Sequence, residues 1–235
     1  LVPPGSELRG VWHLLGTDAV GRDVLSLIVA GARPALLVSL MAVLLGAGFG
    51  TLTGLLCGYI GGAARSWLLY GTNIQLSFPF FLLAVTIVGI LRPSVPLVVV
   101  VIALGTWVPF ARITLSETLH IREQEYIEAI VVMRGSRLRI VLRHILPNVL
   151  PNILVLFTFA MGNAIVMESG LSFVGLGVPT VTPTWGRMLS EGRDYMQTAW
   201  WLTLFPGVTI FLLVLAINIL GERARDVLDP KLSGR

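Results

Sequence analysis

Residues 35–60 read ALLVSLMAVLLGAGFGTLTGLLCGYI and contain no charged side chain. An α-helix needs about 20 mostly apolar residues to cross the hydrocarbon core of a bilayer, so this stretch predicts a membrane-spanning helix. Comparable apolar stretches follow along the chain. The predicted spans are Ala35–Ile60, Trp67–Leu91, Val95–Leu115, Val149–Glu168 and Trp200–Leu220. The sequence therefore predicts an all-α, polytopic transmembrane helix bundle with five spans in this chain.

The composition agrees with a lipid-embedded protein. Apolar residues make up 55% of the chain and charged residues 13%, and the mean hydropathy is +0.84, whereas a soluble domain carries about 25% charged residues. The net charge of +4 does not indicate a nucleic acid partner, because the basic residues cluster in one loop and in the C-terminal tail, as membrane topology predicts. The single cysteine, Cys57, excludes an intramolecular disulfide framework.

Four glycines of the first predicted span recur at every fourth residue. They are Gly46, Gly50, Gly54 and Gly58. This spacing places them on one face of the helix, and a face of small residues allows the backbone of another helix to approach closely within lipid. The ladder predicts tight helix packing inside the bundle; a surface that slides during gating is the alternative.

The distribution of lysine and arginine orients the chain in the membrane. These residues concentrate in the loop 116–148 and in the C-terminal tail 221–235, and cytoplasmic loops are the ones enriched in Lys and Arg. We therefore expect both segments, and the C-terminus, to be cytoplasmic. Five spans then place the N-terminal segment 1–34 outside, which predicts one further span upstream and six in the full-length protein. The outer loop 169–199 connects the last two spans of the membrane domain 35–220.

The loop 116–148 has helical periodicity although it is too charged for lipid. A first short helix is predicted from Glu125 to Met133, and Gly135 and Ser136 separate it from a second. The apolar face of the second helix, at the spacing i, i+3, i+4, i+7, consists of Leu138, Val141, Leu142 and Ile145. An exposed apolar face needs something to cover it. Either it packs on its own bundle or at the lipid headgroups, or it docks a soluble partner.

Polar side chains inside or beside the apolar spans are further candidates. They are Asn152, Asn163, Glu168 and Asn218. Polar groups at membrane depth tend to face the interior of a bundle, so these residues either line a translocation pathway or form interhelical hydrogen bonds. Three tryptophans near the last two spans are expected to be interfacial anchors. These are Trp185, Trp200 and Trp201.

Other classes of membrane protein find less support. An intramembrane serine protease needs a base close to its nucleophile, but His13, His120 and His144 all fall outside the predicted spans. The sequence has neither the His-Glu-x-x-His pattern of a metalloprotease nor a glycine-rich phosphate-binding loop. A channel is the remaining alternative, although a channel has no need of the helix–turn–helix in the loop.

The loop resembles the EAA loop of ABC-importer permeases. In that family the pattern is Glu-Ala-Ala, then three residues, then a glycine. About a dozen further residues follow, and they end in Leu-Pro. The matching residues here are Glu128-Ala129-Ile130 and, at the family's distance, Leu146-Pro147. The second alanine is replaced by Ile130, and the family's glycine falls on Arg134, with a glycine one place later at Gly135. We therefore expect the turn to be shifted by one residue.

Three further blocks are similar to one branch of that family, the dipeptide/oligopeptide/nickel permeases, and specifically to the second or C-type subunit. They are LGTD and GRD within 15–23, ESGLSFVGLG at 168–177 with PTWG at 183–186, and GER, RD and LDP within 221–230. The blocks and the EAA loop occur in the family's order and together cover nearly the whole chain.

This resemblance implies a type I ABC importer permease of the bacterial cytoplasmic membrane that takes up di- or oligopeptides, with a nickel or glutathione importer of the same family as the alternative. It implies as partners a second homologous permease, two ATP-binding subunits and an extracytoplasmic substrate-binding protein. No catalytic residue, metal or cofactor is expected on this chain, since ATP and magnesium belong to the ATP-binding subunits.

The resemblance also assigns the residues that couple this chain to an ATP-binding subunit. In the family, the short helix of the loop docks into a groove on that subunit. Ala129 is small enough for close seating, and Glu128 offers a carboxylate for a charge-assisted hydrogen bond. Tyr126 and Ile127 are expected to fill apolar pockets. The remaining coupling residues are Gly135 at the turn, and Arg143 and His144, which are expected to tie the second helix to the loop.

Overall fold

The structure, a computed structural model, describes residues 1–8, 10–178 and 183–228, and for residues 8 and 224–228 it describes the backbone alone. Helices dominate the described chain, and one small antiparallel sheet precedes them. The strands are β1 (Ser6–Leu8) and β2 (Val11–His13). The helices are α1 (Val24–Ile60), α2 (Gly62–Leu76), α3 (Phe80–Leu91), α4 (Val95–Arg122), α5 (Glu125–Val132), α6 (Arg137–Ile140), α7 (Leu146–Phe173), α8 (Trp185–Arg193) and α9 (Trp201–Leu228), and a π-helical turn (Val141–Ile145) joins α6 to α7.

The described chain forms two compact units. The first contains residues 1–42, 81–102 and 161–216, and the second contains residues 43–80, 103–160 and the described residues from 217 onwards. Each unit has an apolar core. Fully buried side chains of the first unit include Val24, Ala35, Val98, Ile165 and Leu171. Those of the second include Val43, Phe110, Ile127, Ile140 and Ile145.

The N-terminal segment of the first unit is held by hydrogen bonds to Asp23. Nδ1 of His13 lies 2.9 Å from one carboxylate oxygen, and the backbone N–H of Ser26 donates to the other at 2.8 Å. Asp23 therefore caps α1, which begins well before the predicted Ala35. The predicted start is therefore wrong. Pro34 lies inside α1, and membrane helices tolerate an internal proline.

The second predicted span is interrupted. α2 ends at Leu76 with Ser77 as its C-cap, and α3 begins at Phe80, directly after Pro79. Proline lacks the N–H that would continue the helical hydrogen bonds, and its ring clashes with the preceding turn. Among the described residues, four helices are long and apolar enough to cross a membrane, or five if α2 and α3 together form one broken span. The latter count agrees with the five predicted spans.

The connection predicted at 116–148 is shorter than expected because the helices on both sides are longer. α4 continues to Arg122, beyond the predicted end at Leu115. On the other side, α6, the π-helical turn and α7 form one continuous helical stretch, Arg137–Phe173. The predicted second helix of the loop is therefore the first part of the span that was expected to begin only at Val149.

The π-helical turn lies directly before the first proline of α7. Pro147 has no N–H for the carbonyl of Arg143, and its ring would clash with that carbonyl in a regular α-helix. In the preceding turn the N–H of Leu146 donates to the carbonyl of Val141, which is the wider hydrogen-bond pattern of a π-helix. The helix can thus pass Pro147 without ending.

The glycine ladder of α1 lies against α4 within the second unit. A Cβ atom built on Gly54 would lie 2.5 Å from the carbonyl oxygen of Ala111 and 2.7 Å from Cβ of Thr114. Carbon atoms in contact stand about 3.5–4.0 Å apart, so no side chain fits here. The other ladder glycines, Gly46, Gly50 and Gly58, meet α4 in the same way. The two helices therefore approach each other backbone to backbone along this face.

Candidate functional site

The short helix α5 lies between α4 and α6 in the second unit. Gln124 precedes it in an extended conformation, and Glu125 and Glu128 lie in its first turn. Carboxylates in a first turn are stabilised by the partial positive charge of the helix N-terminus. Ile127, which is 1% exposed, anchors α5 to the chain. The sequence thus favours a helix that starts at this point and is held by one buried side chain.

α5 ends in a Schellman motif. The N–H of Gly135 donates to the carbonyl of Ile130 at 3.0 Å, and the N–H of Arg134 donates to the carbonyl of Val131 at 3.0 Å. Arg134 has φ of 58°, a left-handed conformation that costs a non-glycine residue about 1 kcal/mol. The position that favours glycine is therefore Arg134, where the family's glycine falls, and the expected one-residue shift of the turn is wrong.

Gly135 is explained by close packing instead. A Cβ atom on this residue would lie 2.6 Å from Cγ2 of Ile130 and 3.0 Å from the carbonyl oxygen of Ile130. Because that carbonyl accepts the N–H of Gly135 itself, the turn cannot open without losing the hydrogen bond. The end of α5 is thus a well-defined stop.

α5 and its C-cap expose several large apolar side chains. Val132 is 82% exposed and Met133 is 74% exposed, and large exposed apolar side chains that lie together mark an interaction surface. We call the exposed apolar residues of this segment the α5 patch. Its members are Tyr126, Val131, Val132 and Met133. On the following helix, Leu138 and Leu142 are also exposed, while Val141 and Ile145 are buried.

The predicted coupling residues do not all share this surface. The prediction that Ile127 fills a partner's pocket is wrong, because that side chain is buried within this chain. Glu128 and Ala129 are exposed, and the carboxylate of Glu128 has no hydrogen bond or ion pair among the described residues. The side chains of Arg143 and His144 likewise form no hydrogen bond to the loop in the part of the chain that the structure describes.

The polar residues predicted inside the spans differ in their surroundings. Asn152 and Asn163 are exposed on α7, and helical geometry puts them on the same face. Glu168 is fully buried, and its Oε1 accepts a hydrogen bond from Oγ of Ser172, one turn further along α7, at 2.7 Å. Oε2 of Glu168 and Oδ1 of Asn218 are buried without a partner among the described residues. Glu168 therefore bonds within its own helix, whereas the two exposed asparagines are free to meet something outside this chain.

In the first unit, one tryptophan ties α8 to α1 and another ties α9 to the N-terminal segment. Nε1 of Trp185 donates to the carbonyl of Ile28 at 2.8 Å, and Nε1 of Trp201 donates to the carbonyl of Thr17 at 3.2 Å. Both rings are buried, whereas Trp200 is 51% exposed. The prediction of interfacial anchors is thus wrong for Trp185 and Trp201, since a buried indole N–H needs an acceptor and finds one here.

The role of Asp23 was missed from the sequence. Burial raises the pKa of this carboxyl, but hydrogen bonds from His13 and from the backbone and side chain of Ser26 outweigh burial and hold its pKa below the usual value. The available signal was an aspartate at an N-cap position followed by a serine in the first turn.

Some predicted features lie outside the described residues. These are Arg9, residues 179–182 of the outer loop and residues 229–235 of the C-terminal tail, while the side chains of Arg225, Asp226 and Leu228 are not described either. Within the described chain, no three side chains of His, Cys, Asp or Glu come together as a metal site would require.

Comparison with known proteins agrees with this architecture. The family model described as binding-protein-dependent transport system inner membrane component matches residues 50–234. The chain is 41% identical to the dipeptide transport system permease protein DppC of Alkalihalophilus pseudofirmus, covering 97% of this chain and 76% of that protein. It is 40% identical to the di/tripeptide transport system permease protein DppC of Pseudomonas aeruginosa, over 99% and 77%. It is also 40% identical to the glutathione transport system permease protein GsiD of Pectobacterium atrosepticum, over 94% and 73%.

Solved structures share the fold. A chain of the MetNI methionine ABC transporter in an inward-facing conformation has a TM-score of 0.70 and 22% identity, covering 87% of this chain and 97% of that one. A second crystal form of the same transporter has a TM-score of 0.71. These matches confirm the predicted helix bundle of the type I importer kind. The chain is therefore a multi-pass membrane protein that belongs to the family of binding-protein-dependent transport system inner membrane components, the permease subunits of ABC importers.

Proposed function

We propose that this chain is one of two permease subunits of an ATP-driven importer of di- and oligopeptides. Support comes from the relatives with about 40% identity, which are named for dipeptide, di/tripeptide and glutathione transport. Glutathione is itself a small peptide, so these substrates share one chemical class. A glutathione importer is therefore a special case of this proposal, and a nickel importer is the alternative.

The α5 patch couples this chain to a separate ATP-binding subunit. The observation that carries this proposal is a short helix with a well-defined stop, anchored by Ile127, that exposes Val132 and Met133 beside the unpaired Glu128. Such a helix can transmit a rigid-body movement, because it is fixed to its own chain on one side and open on the other. Glu128 supplies a charge-assisted hydrogen bond across the joint, and Ala129 permits close contact.

The proposal includes the remaining parts of the importer, which family membership supports. α5 and the C-terminus lie on the cytoplasmic side, where two ATP-binding subunits hold ATP and magnesium. A second homologous permease completes the pathway through the bilayer, and a substrate-binding protein delivers peptide on the outer side. The exposed Asn152 and Asn163 of α7 are candidates for lining that pathway.

Replacing Glu128 by arginine tests the coupling. The importer is purified with all its subunits and reconstituted in proteoliposomes, where peptide uptake and ATP hydrolysis are both measured. We expect Glu128→Arg to leave assembly intact and to reduce uptake per ATP hydrolysed by about tenfold, as the loss of one charge-assisted hydrogen bond predicts. Glu123→Arg makes the same charge change at an exposed residue outside α5 and serves as the control. Equal uptake by the Glu128→Arg variant and the parent would show that α5 is not the coupling element.

Substrate class is tested separately. The same proteoliposomes are supplied with a panel of di-, tri- and pentapeptides, with glutathione, and with nickel, each together with the cognate substrate-binding protein. We expect accumulation of several peptides and no accumulation of nickel. Uptake of nickel without uptake of any peptide would overturn the peptide assignment and leave the permease family unchanged.

A further inference from the structure

A line of polar side chains runs between α2 and α4 inside the second unit. We call it the polar seam, and it consists of Thr72, Asn73 and Gln75 on α2 and Trp107 and Arg112 on α4. α4 is apolar over most of its length before residue 115, so these hydrogen-bonding groups are exceptional there. Neither the hydropathy pattern nor the family motifs single them out.

Gln75 is fixed at the deeper end of the polar seam. Its side-chain Oε1 accepts a hydrogen bond from Nε1 of Trp107 at 2.8 Å, and its Nε2 donates to the carbonyl of Leu104. The carboxamide is therefore held by both of its ends. It sets the register of α2 against α4 at this level.

Arg112 occupies the other end of the polar seam. Its Nε donates to Oγ1 of Thr72 at 3.2 Å, and its Nη2 donates to Oδ1 of Asn73. Both acceptors are neutral, and no carboxylate among the described residues forms an ion pair with this guanidinium. One edge of the guanidinium is thus held in place, while the remaining N–H groups have no acceptor within the described chain.

The polar seam reaches into the apolar part of α4. Counted back from Leu115, where the apolar run ends, Arg112 lies about 5 Å and Leu104 about 16 Å along the helix axis. Since the hydrocarbon core is about 30 Å thick, the polar seam extends to roughly its middle. Asn73 is exposed on the surface of this chain, and Gln75 and Arg112 are half-buried.

Lipid acyl chains offer no hydrogen-bond partners to the groups of the polar seam. An intramembrane cation almost always faces a water-filled space or a partner inside protein, and hydrogen-bonding groups at this depth have no water to satisfy them in hydrocarbon. The half-exposed side of the polar seam must therefore face something other than acyl chains.

We propose that the polar seam lines the peptide pathway and that Arg112 binds the C-terminal carboxylate of the passing peptide. This inference rests on the proposed function. The free N–H groups at the end of the guanidinium suit a carboxylate, which accepts two parallel hydrogen bonds from arginine. The exposed carboxamide of Asn73 offers a donor for a peptide carbonyl. Every linear peptide carries these groups, so such a site recognises peptides irrespective of their side chains, and its positive charge repels a free divalent cation.

The test uses the complete importer in proteoliposomes, with import and ATP hydrolysis measured for Arg112→Gln, Arg112→Lys and a control, Arg65→Gln. Arg65 is an exposed arginine of α2 that forms no hydrogen bond to the polar seam in the described chain. Import is followed for a dipeptide and for its C-terminal amide, both at concentrations that saturate the substrate-binding protein. A second set of vesicles contains only zwitterionic phosphatidylcholine, to separate a peptide carboxylate from a lipid headgroup with a net negative charge.

We expect Arg112→Gln to lower import of the free acid by about tenfold, the value of one charge-assisted hydrogen bond, and to leave import of the amide and the ATPase rate unchanged. Arg112→Lys should give an intermediate rate, and Arg65→Gln should match the parent. Equal loss for acid and amide overturns the inference in favour of a structural role, and a loss that disappears in phosphatidylcholine vesicles overturns it in favour of an anionic lipid headgroup. If the parent imports no peptide at all, the proposed function itself fails. If the parent imports peptide and the Arg112→Gln variant imports the free acid equally well, only the inference about Arg112 fails.

Discussion

The contact between α1 and α4 predicts a large difference between two glycine substitutions on the same helix. In Gly54→Ala the added Cβ would lie 2.5 Å from the carbonyl oxygen of Ala111, 2.7 Å from Cβ of Thr114 and 3.0 Å from the backbone nitrogen of Leu115. Two of these atoms belong to backbone, which cannot rotate away as a side chain does. To restore contact distances of about 3.5–4.0 Å, α4 must retreat by roughly 1 Å.

The free energy of unfolding is expected to fall by about 1–2 kcal/mol, because overpacking costs about 1–3 kcal/mol and alanine recovers up to about 1 kcal/mol of helix propensity. Gly48→Ala is the matched control on α1, since a Cβ atom there meets nothing within 4 Å. It keeps the gain in propensity without the clash. The difference between the two variants therefore isolates the approach of the two backbones.

Thermal unfolding of the detergent-purified importer measures this difference. This chain carries a fluorescent tag, and size-exclusion chromatography after heating shows how much of it remains folded. We expect Gly54→Ala to lower the melting temperature by roughly 2–6 °C and Gly48→Ala to leave it unchanged or raise it. If both variants have the melting temperature of the parent or a higher one, the packing of α1 on α4 tolerates a Cβ atom at residue 54, and the reasoning is refuted.

Three further predictions concern single residues. Arg134→Gly should raise the free energy of unfolding by about 1 kcal/mol, because glycine adopts a φ of 58° without strain. Thermal melting measures this change, and a melting temperature below that of the parent would contradict it. The pKa of Asp23 in the folded state lies below its ordinary value of 3.8, so its stabilising effect is present above that pH and is lost as the pH falls further. Between pH 6 and pH 3, the melting temperature of Asp23→Asn should fall less steeply than that of the parent at the acid end of the range. Parallel curves would exclude this role. Trp185→Phe keeps a buried ring but removes the N–H that bonds to the carbonyl of Ile28, which should cost about 1 kcal/mol. An unchanged melting temperature argues against a stabilising role for that hydrogen bond.

Much of the membrane architecture could be predicted because it depends on local composition. Each span is a long, mostly apolar run, and lipid permits little other than a helix for such a run. Helical periodicity puts Gly46, Gly50, Gly54 and Gly58, four residues apart, on one face, so the sequence alone predicts the face that they share. The short helix α5 and its position before a glycine were likewise visible in the residues themselves.

The errors arose where distant residues decide the outcome. The start of α1 is the exception, because the cap is local: Asp23 bonds to Ser26 three residues on and to His13, and hydropathy alone does not reveal it. Ile127 looked like one more exposed apolar residue of a loop, yet its neighbours in space bury it. Trp185 looked like an interfacial anchor until its indole N–H was found on the carbonyl of Ile28.

Hydropathy and periodicity are properties of neighbouring residues, so the amino-acid sequence alone was enough to establish the helices, their approximate number and the family motif in the loop between α4 and α6. Folding decided which side of each helix is covered, because burial depends on residues that are far apart in the chain. Only the tertiary structure could place Arg112 beside Thr72 and Asn73, and show that its charge has no counterion among the described residues.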